Sequence, residues 1–298
     1  MVTGRVVALA GKQGGRITTA QLRTCGLSQT AVWRWQQDGR LHRLAHGLYA
    51  LGHKAPTPES DLRDALLLAG PGAFLSCATG LWWWELIRFP PSDIHVSAPG
   101  RRRSKPGIRI HHPSDLERVW HRELPVAPIA RALLDSASMI SFAGVRRALA
   151  QAEHLELMSH EEMRALGACG HSGAATVRRA LGVHMPELAK TRSPLEDRFL
   201  YFCERYEIPI PHPNFEIAGH EVDAVWPELR VAVELDGREE HGTPGAVVRD
   251  RRRELAIRSA GFNLIRYGSE QIDHGHIATA ADLRATLNRG ALPSASGG

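Results

Sequence analysis

Val222-Asp-Ala-Val-Trp-Pro-Glu-Leu-Arg-Val-Ala-Val-Glu-Leu-Asp-Gly-Arg-Glu-Glu-His241 is the stretch on which the reading of this chain turns. Two short apolar runs flank a break at Pro227, the pattern of a β-hairpin. Side chains alternate faces along a strand, so Val231, Val233 and Leu235 point one way and Ala232, Glu234 and Asp236 the other. A turn at Pro227–Arg230 pairs position 223 with position 234, which sets Asp223 opposite Glu234 with Cβ atoms about 5 Å apart. Like charges that close oppose strand pairing unless a cation or a shared proton offsets them. A divalent metal is the ordinary reason to build such a pair.

Outward from the hairpin, Ser193-Pro-Leu-Glu196 opens a helix, with Ser193 as N-cap, Pro194 at the first helical position and Glu196 completing a capping box. A strand at Asn214–Ile217 leads into the hairpin. Beyond it a helix from Pro244 to Ser259 carries Arg249, Arg251, Arg252 and Arg253, Asn263–Tyr267 is a last strand, and a helix follows near Ile277–Leu287. The order α-β-β-β-α-β-α inserts a helical crossover between strands and predicts a mixed sheet flanked by helices.

Ser193-x-Leu-Glu196, Val222-Asp223, Val233-Glu-Leu-Asp-Gly237, His241, Asp250-Arg-Arg-Arg253 and Gly261-Phe-x-Leu-Ile-Arg266 run in one order over about a hundred residues. In that order they resemble the restriction-endonuclease-like PD-(D/E)xK fold, and most of all its branch of very-short-patch repair endonucleases. The resemblance implies Mg²⁺ held by Asp223, Glu234 and Asp236 and metal-assisted hydrolysis of a DNA phosphodiester. His241 would position or deprotonate the water, Glu196 would orient a ligand, and Arg251 or Arg253 would contact phosphate. One departure stands out: Asp236 occupies the place of the usual lysine. The short-patch repair enzymes also lack that lysine and use a histidine, which suits His241.

Charge is unevenly spread. Residues 1–55 hold eight Lys/Arg against one acid, Asp38, so this segment is +7 within a chain of net +5. A basic module on a near-neutral body points to a polyanion partner, most simply nucleic acid. The segment reads as a short helix around Val6–Leu9, a helix from Thr19 closed by Gly26, and a third from the N-cap Ser28 to about Asp38. A hairpin over Leu41–Leu51, turning near His46-Gly47, follows. On the third helix Val32 and Trp35 share a buried stripe, leaving Gln29, Thr30, Trp33, Arg34 and Gln37 more exposed.

Gly15-Arg-Ile-Thr-Thr-Ala-Gln-Leu, Gly26-Leu-Ser and Gly39-Arg-Leu-His-Arg-Leu-Ala-His-Gly-Leu-Tyr-Ala-Leu-Gly52 carry a second resemblance, to the N-terminal winged-helix domain of the AbiEi-like antitoxin family. It implies a helix in the major groove of double-stranded DNA, a wing on phosphate and a cognate toxin as a possible partner. Arg34, Arg40 and Arg43 are the expected DNA contacts.

Residues 56–190 read as an α+β connecting domain with no chemistry of its own. Ser60–Ala69 and Phe74–Leu86 are expected helices, and Trp82-Trp83-Trp84 on the second belong chiefly to a core. Asp93–Ser97 and Ile108–His112 read as strands joined by Gly100-Arg-Arg-Arg-Ser-Lys-Pro-Gly107, a basic loop that is either a phosphate grip or a solvated tip. His95, His111 and His112 look like a metal cluster, but neighbouring strand residues face opposite sides, which argues against metal there. Ile129–Ser136, Phe142–Leu157 and Ser159–Leu166 are expected helices.

The organisation expected is therefore an α+β multidomain chain: a winged helix over 1–55, the connecting domain over 56–190, the nuclease-like domain over 191–290 and a disordered tail over 291–298. No apolar run approaches the roughly 20 residues of a membrane helix, and the four cysteines are scattered without a CxxC pair, which argues against a disulfide framework and a zinc site. Both point to the cytoplasm. Two functions remain open: a Mg²⁺-dependent DNA endonuclease, and an AbiEi-like antitoxin or transcriptional regulator whose nuclease fold is inactive.

Overall fold

The structure, a computed structural model, describes residues 2–52, 57–236 and 244–291. It divides into two compact units, residues 1–184 and 185–298.

The first unit begins with α1 (Val2–Gly11), β1 (Arg16–Thr18), α2 (Thr19–Thr24), α3 (Gln29–Gln37), β2 (Leu41–Ala45) and β3 (Leu48–Leu51). The helices start where short polar side chains can accept from their first turn. Thr18 and Gln21 make a reciprocal capping box on α2, and the Ser28 side chain accepts from Ala31 N on α3. Gly26 and Gly47 sit at φ 92° and 78°, which only glycine adopts without strain, and so permit the turns between α2 and α3 and between β2 and β3. The three strands pair antiparallel in the order β1-β3-β2. Val6, Ile17, Leu22, Val32 and Leu41 form one core beneath them.

The expected boundary near residue 55 does not separate compact units. Arg16 on β1 is 5 % exposed and donates to Asp64 at 3.0 Å, tying the winged segment to the next helix, α4 (Pro58–Ala69). Then come β4 (Phe74–Leu75), α5 (Cys77–Trp83), β5 (Ile94–Ser97), β6 (Ile108–His111), β7 (Val119–His121) and β8 (Leu124–Val126). They make a mixed sheet in the order β6-β5-β4-β8-β7. The single helix expected over Phe74–Leu86 is thus a strand followed by a shorter helix, because Phe74 and Leu75 pair with Ser97 and Val96. Trp83 and Trp84 anchor the core as expected, their indole N–H groups donating to His121 O and Ala127 O. Helices α6 (Ile129–Ser136), α7 (Phe142–His154), α8 (His160–Ala168) and α9 (Ala174–Leu181) complete the unit, the last without a sequence expectation.

The second unit runs through a 3-10 turn (Pro186–Lys190), α10 (Pro194–Arg205), β9 (His212–Ile217), β10 (His220–Trp226), a 3-10 turn (Pro227–Leu229) and β11 (Val231–Asp236). It continues with α11 (Pro244–Ser259), β12 (Asn263–Gly268), α12 (Ser269–Asp273) and α13 (His276–Ala291). The sheet order is β12-β11-β10-β9, antiparallel except for the parallel pair β11–β12, so the expected mixed sheet is present. One face packs Ala224, Trp226 and Val233 against Phe199 and Leu283; the other packs Val225 and Ala232 against Ile257 of α11. The pairing Ala224↔Val233 and Trp226↔Val231 is the register that sets 223 opposite 234. Among the described residues no helix is long and apolar enough to cross a membrane.

Candidate functional site

Two arrangements of side chains carry chemistry that a solvated surface does not require. The first is the outer face of α3. With Val32 buried, Gln29, Thr30, Trp33, Arg34 and Gln37 are all exposed, and Trp33 shows 60 % of its surface. Arg40 lies just past the helix with its guanidinium 5.8 Å over the Trp35 ring, and Arg43 projects from the wing strand β2, where it meets His46. Arg34 on α3, Arg40 just past it and Arg43 on β2 are all exposed. The helical period already put Gln29, Thr30 and Trp33 on that exposed face. Arg102 and Lys105 of the basic loop line a cleft of about 680 Å³ together with Lys12, Thr19 and His46.

The second arrangement is the carboxylate cluster on β10 and β11. Asp223 accepts from Leu235 N at 2.7 Å, taking a backbone donor just past the last Ala224↔Val233 pairing. Burial raises its pKa above the usual carboxylate value, its bond to Leu235 N pulls the other way, and the Glu196 and Glu234 charges add to the rise. Glu234 is 5 % exposed and faces two arginines. Arg266, its partner across the parallel β11–β12 pair, donates to Oε2 at 2.9 Å. Arg253 of α11 lies 3.0 Å from Oε1, but not in line for a hydrogen bond, so that oxygen has no well-aligned donor. Arg266 also grips Asp250 in a two-pronged pair at 2.8 and 2.7 Å, which lowers the Asp250 pKa.

Glu196 is buried close by. Its Oε2 accepts from Arg192 N and from Asn214 Nδ2, both at 2.8 Å. Ser193 caps α10 as expected, yet the return bond goes to Arg192 N and not to Ser193 N, so the capping box is incomplete. Arg253 turns inward to Glu234 and to Glu221 O, whereas Arg251 is exposed. Asp236, at the end of β11, is exposed too. His241 lies outside the described residues.

Does this set suit a hard divalent cation? Magnesium asks for several oxygens around one point. Among the described residues, the groups whose ligand atoms gather within 4.8 Å are Cys77–His95–His111 and Glu153–His160–His184; Asp223, Glu234 and Asp236 do not form one. As arranged, both Glu234 oxygens face arginine. The cluster is an alternating chain, Asp250–Arg266–Glu234–Arg253, with Asp223 and Glu196 beside it. The residues do not fit a three-carboxylate magnesium centre in this geometry.

The histidines of the connecting region also differ from expectation. His111 turns toward His95, with ring nitrogens 2.9 Å apart, while His112 faces the other way and meets Ala98 O and Arg102. The argument from alternating faces holds for His111 and His112, but it does not apply to His95 and His111, which come from neighbouring strands.

Helix, strand, two further helices and a three-stranded sheet with an exposed wing define the N-terminal segment as a winged-helix type of domain. Residues 5–52 match the family model described as a transcriptional regulator, AbiEi antitoxin. Over a longer span the chain is similar to two uncharacterized proteins of Mycobacterium tuberculosis, Rv2248 of strain ATCC 25618 / H37Rv and MT2308 of strain CDC 1551 / Oshkosh. Each is 24 % identical over 243 residues, covering 77 % of this chain and 86 % of the relative. Among solved structures it is similar to the RV2827C protein from Mycobacterium tuberculosis, at 18 % identity and a TM-score of 0.38, over 63 % of this chain and 79 % of that one.

Proposed function

We propose that this chain is a double-stranded-DNA-binding transcriptional regulator of the AbiEi-antitoxin kind. The observation that carries the reading is the exposed face of α3, Gln29, Thr30, Trp33, Arg34 and Gln37, beside the exposed Arg43 on the wing. Gln29 and Thr30 open the helix, where a recognition helix meets base edges, and exposed arginines beside it would contact phosphate. The +7 charge of residues 1–55 and the AbiEi match over residues 5–52 support it. A cognate toxin is the protein partner this reading implies. The test is fluorescence anisotropy of the full chain on DNA from upstream of its own gene against scrambled DNA, at several salt concentrations. Tighter binding to the upstream DNA, lost in Arg34→Ala, is expected; equal binding to both DNAs would sink the regulator reading.

A second reading, phosphodiester hydrolysis at Asp223, Glu234, Asp236, Glu196 and His241 with Mg²⁺, is favoured by one observation. Glu234 Oε1 is buried without an aligned donor, next to an Asp223 whose ionisation burial disfavours. Arg253 would have to leave Glu234 before a cation could take its place. Nicking of supercoiled plasmid with Mg²⁺ separates the readings: activity lost in Asp223→Ala and Glu234→Ala supports the nuclease, and equal nicking by all three proteins ends it.

A further inference from the structure

We propose that Cys77, His95 and His111 form a binding site for a zinc-type divalent metal in the first unit. The three come from different elements: Cys77 opens α5 just after β4, His95 lies on β5 and His111 ends β6. Backbone pairing brings them together. Ser76 N donates to His95 O at 3.1 Å, continuing the β4–β5 ladder by one residue, so the next residue, Cys77, starts α5 beside His95. The parallel β5–β6 pair sets Ser97 opposite His111, which leaves His95 and His111 as diagonal neighbours on one face.

The convergence is tight. One ligand atom from each of the three side chains lies within 4.8 Å of the other two. The imidazole rings stack at 11° with centroids 5.2 Å apart, and His95 Nδ1 lies 2.9 Å from His111 Nε2. In tetrahedral zinc geometry two nitrogens stand about 3.3 Å apart and a sulfur and a nitrogen about 3.6 Å. The histidine pair therefore needs to open by only a few tenths of an ångström.

A thiolate with two imidazoles is the donor set of zinc and its first-row neighbours, and three protein ligands leave a fourth position for water or another group. The surroundings match what a metal centre uses. Thr79 Oγ1 accepts from His95 N at 2.8 Å and fixes β5 against the start of α5. The buried Ser76 hydroxyl, 1 % exposed and without a hydrogen-bond partner, belongs to the residue that precedes Cys77. Asp135, held by Arg131 at 2.7 Å and His171 at 3.1 Å, sends negative charge toward both Cys77 and His111, the sign that favours a bound cation. Cys77 is 3 % exposed, whereas both histidines are half-buried.

The experiment uses the full chain, purified with reductant, stripped with chelator and titrated with Co²⁺. One Co²⁺ per chain is expected, with the thiolate-to-cobalt charge-transfer absorption of a sulfur ligand, displaced by Zn²⁺. Cys77→Ser removes that absorption, and His111→Asn or His95→Gln weakens Co²⁺ binding by more than about tenfold. His160→Asn, in the Glu153–His160–His184 group, leaves both unchanged. Should Cys77→Ser fail to fold by circular dichroism, the two histidine variants carry the same readout. No stoichiometric binding by wild type would overturn the proposal. So would charge-transfer absorption that survives in folded Cys77→Ser, or binding lost only in His160→Asn.

Discussion

At the scale of single residues, Asp223 and Glu234 are neighbours under opposite regimes. Glu234 is buried but answered by Arg253 and Arg266. Removing its charge leaves both arginines facing a neutral group, so Glu234→Gln should cost about 2–3 kcal/mol in urea unfolding at pH 7. A loss under about 0.5 kcal/mol would mean the arginines do not depend on it. Asp223 is half-buried with two carboxylates for company, and burial raises its folded-state pKa above the ordinary 3.8. The native state therefore holds the Asp223 proton more tightly than the unfolded chain does. Ionised Asp223 opposes folding in full above the raised pKa, and the cost disappears as pH falls below 3.8. Asp223→Asn should accordingly raise the urea midpoint at pH 7, with a gain that shrinks as the pH is lowered toward 3.8. A gain that persists unchanged at low pH would assign the effect to something other than ionisation. A residue that destabilises its own fold in this way is commonly kept for function.

At the scale of elements, α3 and α11 show how the helical period sorts charge. On α3 the period leaves one face wholly polar but for Trp33, and the arginine there is exposed. On α11 the run Arg251-Arg-Arg253 is not one basic stripe. Asp250, Arg253 and Ile257 are spaced i, i+3 and i+7 and share the face toward the sheet, while Arg249, Arg251 and Arg252 face solvent. Two substitutions on the α3 element should separate folding from binding. Ser28→Ala removes the bond to Ala31 N and should cost about 1 kcal/mol of stability. Arg34→Ala should leave the melting temperature unchanged yet weaken DNA binding and reduce the salt-dependence slope by about 0.9, the value of one phosphate contact. A drop in melting temperature without a change in slope would make Arg34 a structural residue.

At the scale of the whole molecule, each unit holds cores of its own. A fragment covering residues 185–298 should therefore unfold cooperatively, with a near-ultraviolet signal from Trp226, which is 4 % exposed and donates to Pro209 O. Residues 1–55 alone should be less stable than the same segment within 1–184, because Arg16 loses Asp64 and β1 loses the helix that covers it. Equal urea midpoints for the two would contradict the joining of the winged segment to α4. The winged segment and the hairpin register were legible from residues 1–52 and 222–236 because their signals are local. Caps, glycines at positive φ and alternating apolar residues act within a few positions of where they stand. Phe74–Leu75 misread as helix for the converse reason: a two-residue strand has no period, and its pairing partners lie at Val96 and Ser97. What the sequence determined by itself is thus the capped helices and glycine turns of the winged segment and the 223–234 pairing. Only the tertiary structure decided what the charged and ligating side chains meet. Arg266 reaches Glu234 from 32 residues away, and Cys77, His95 and His111 meet across three elements. Strand order fixes those encounters, and strand order depends on burying both sheet faces at once, which no local pattern encodes.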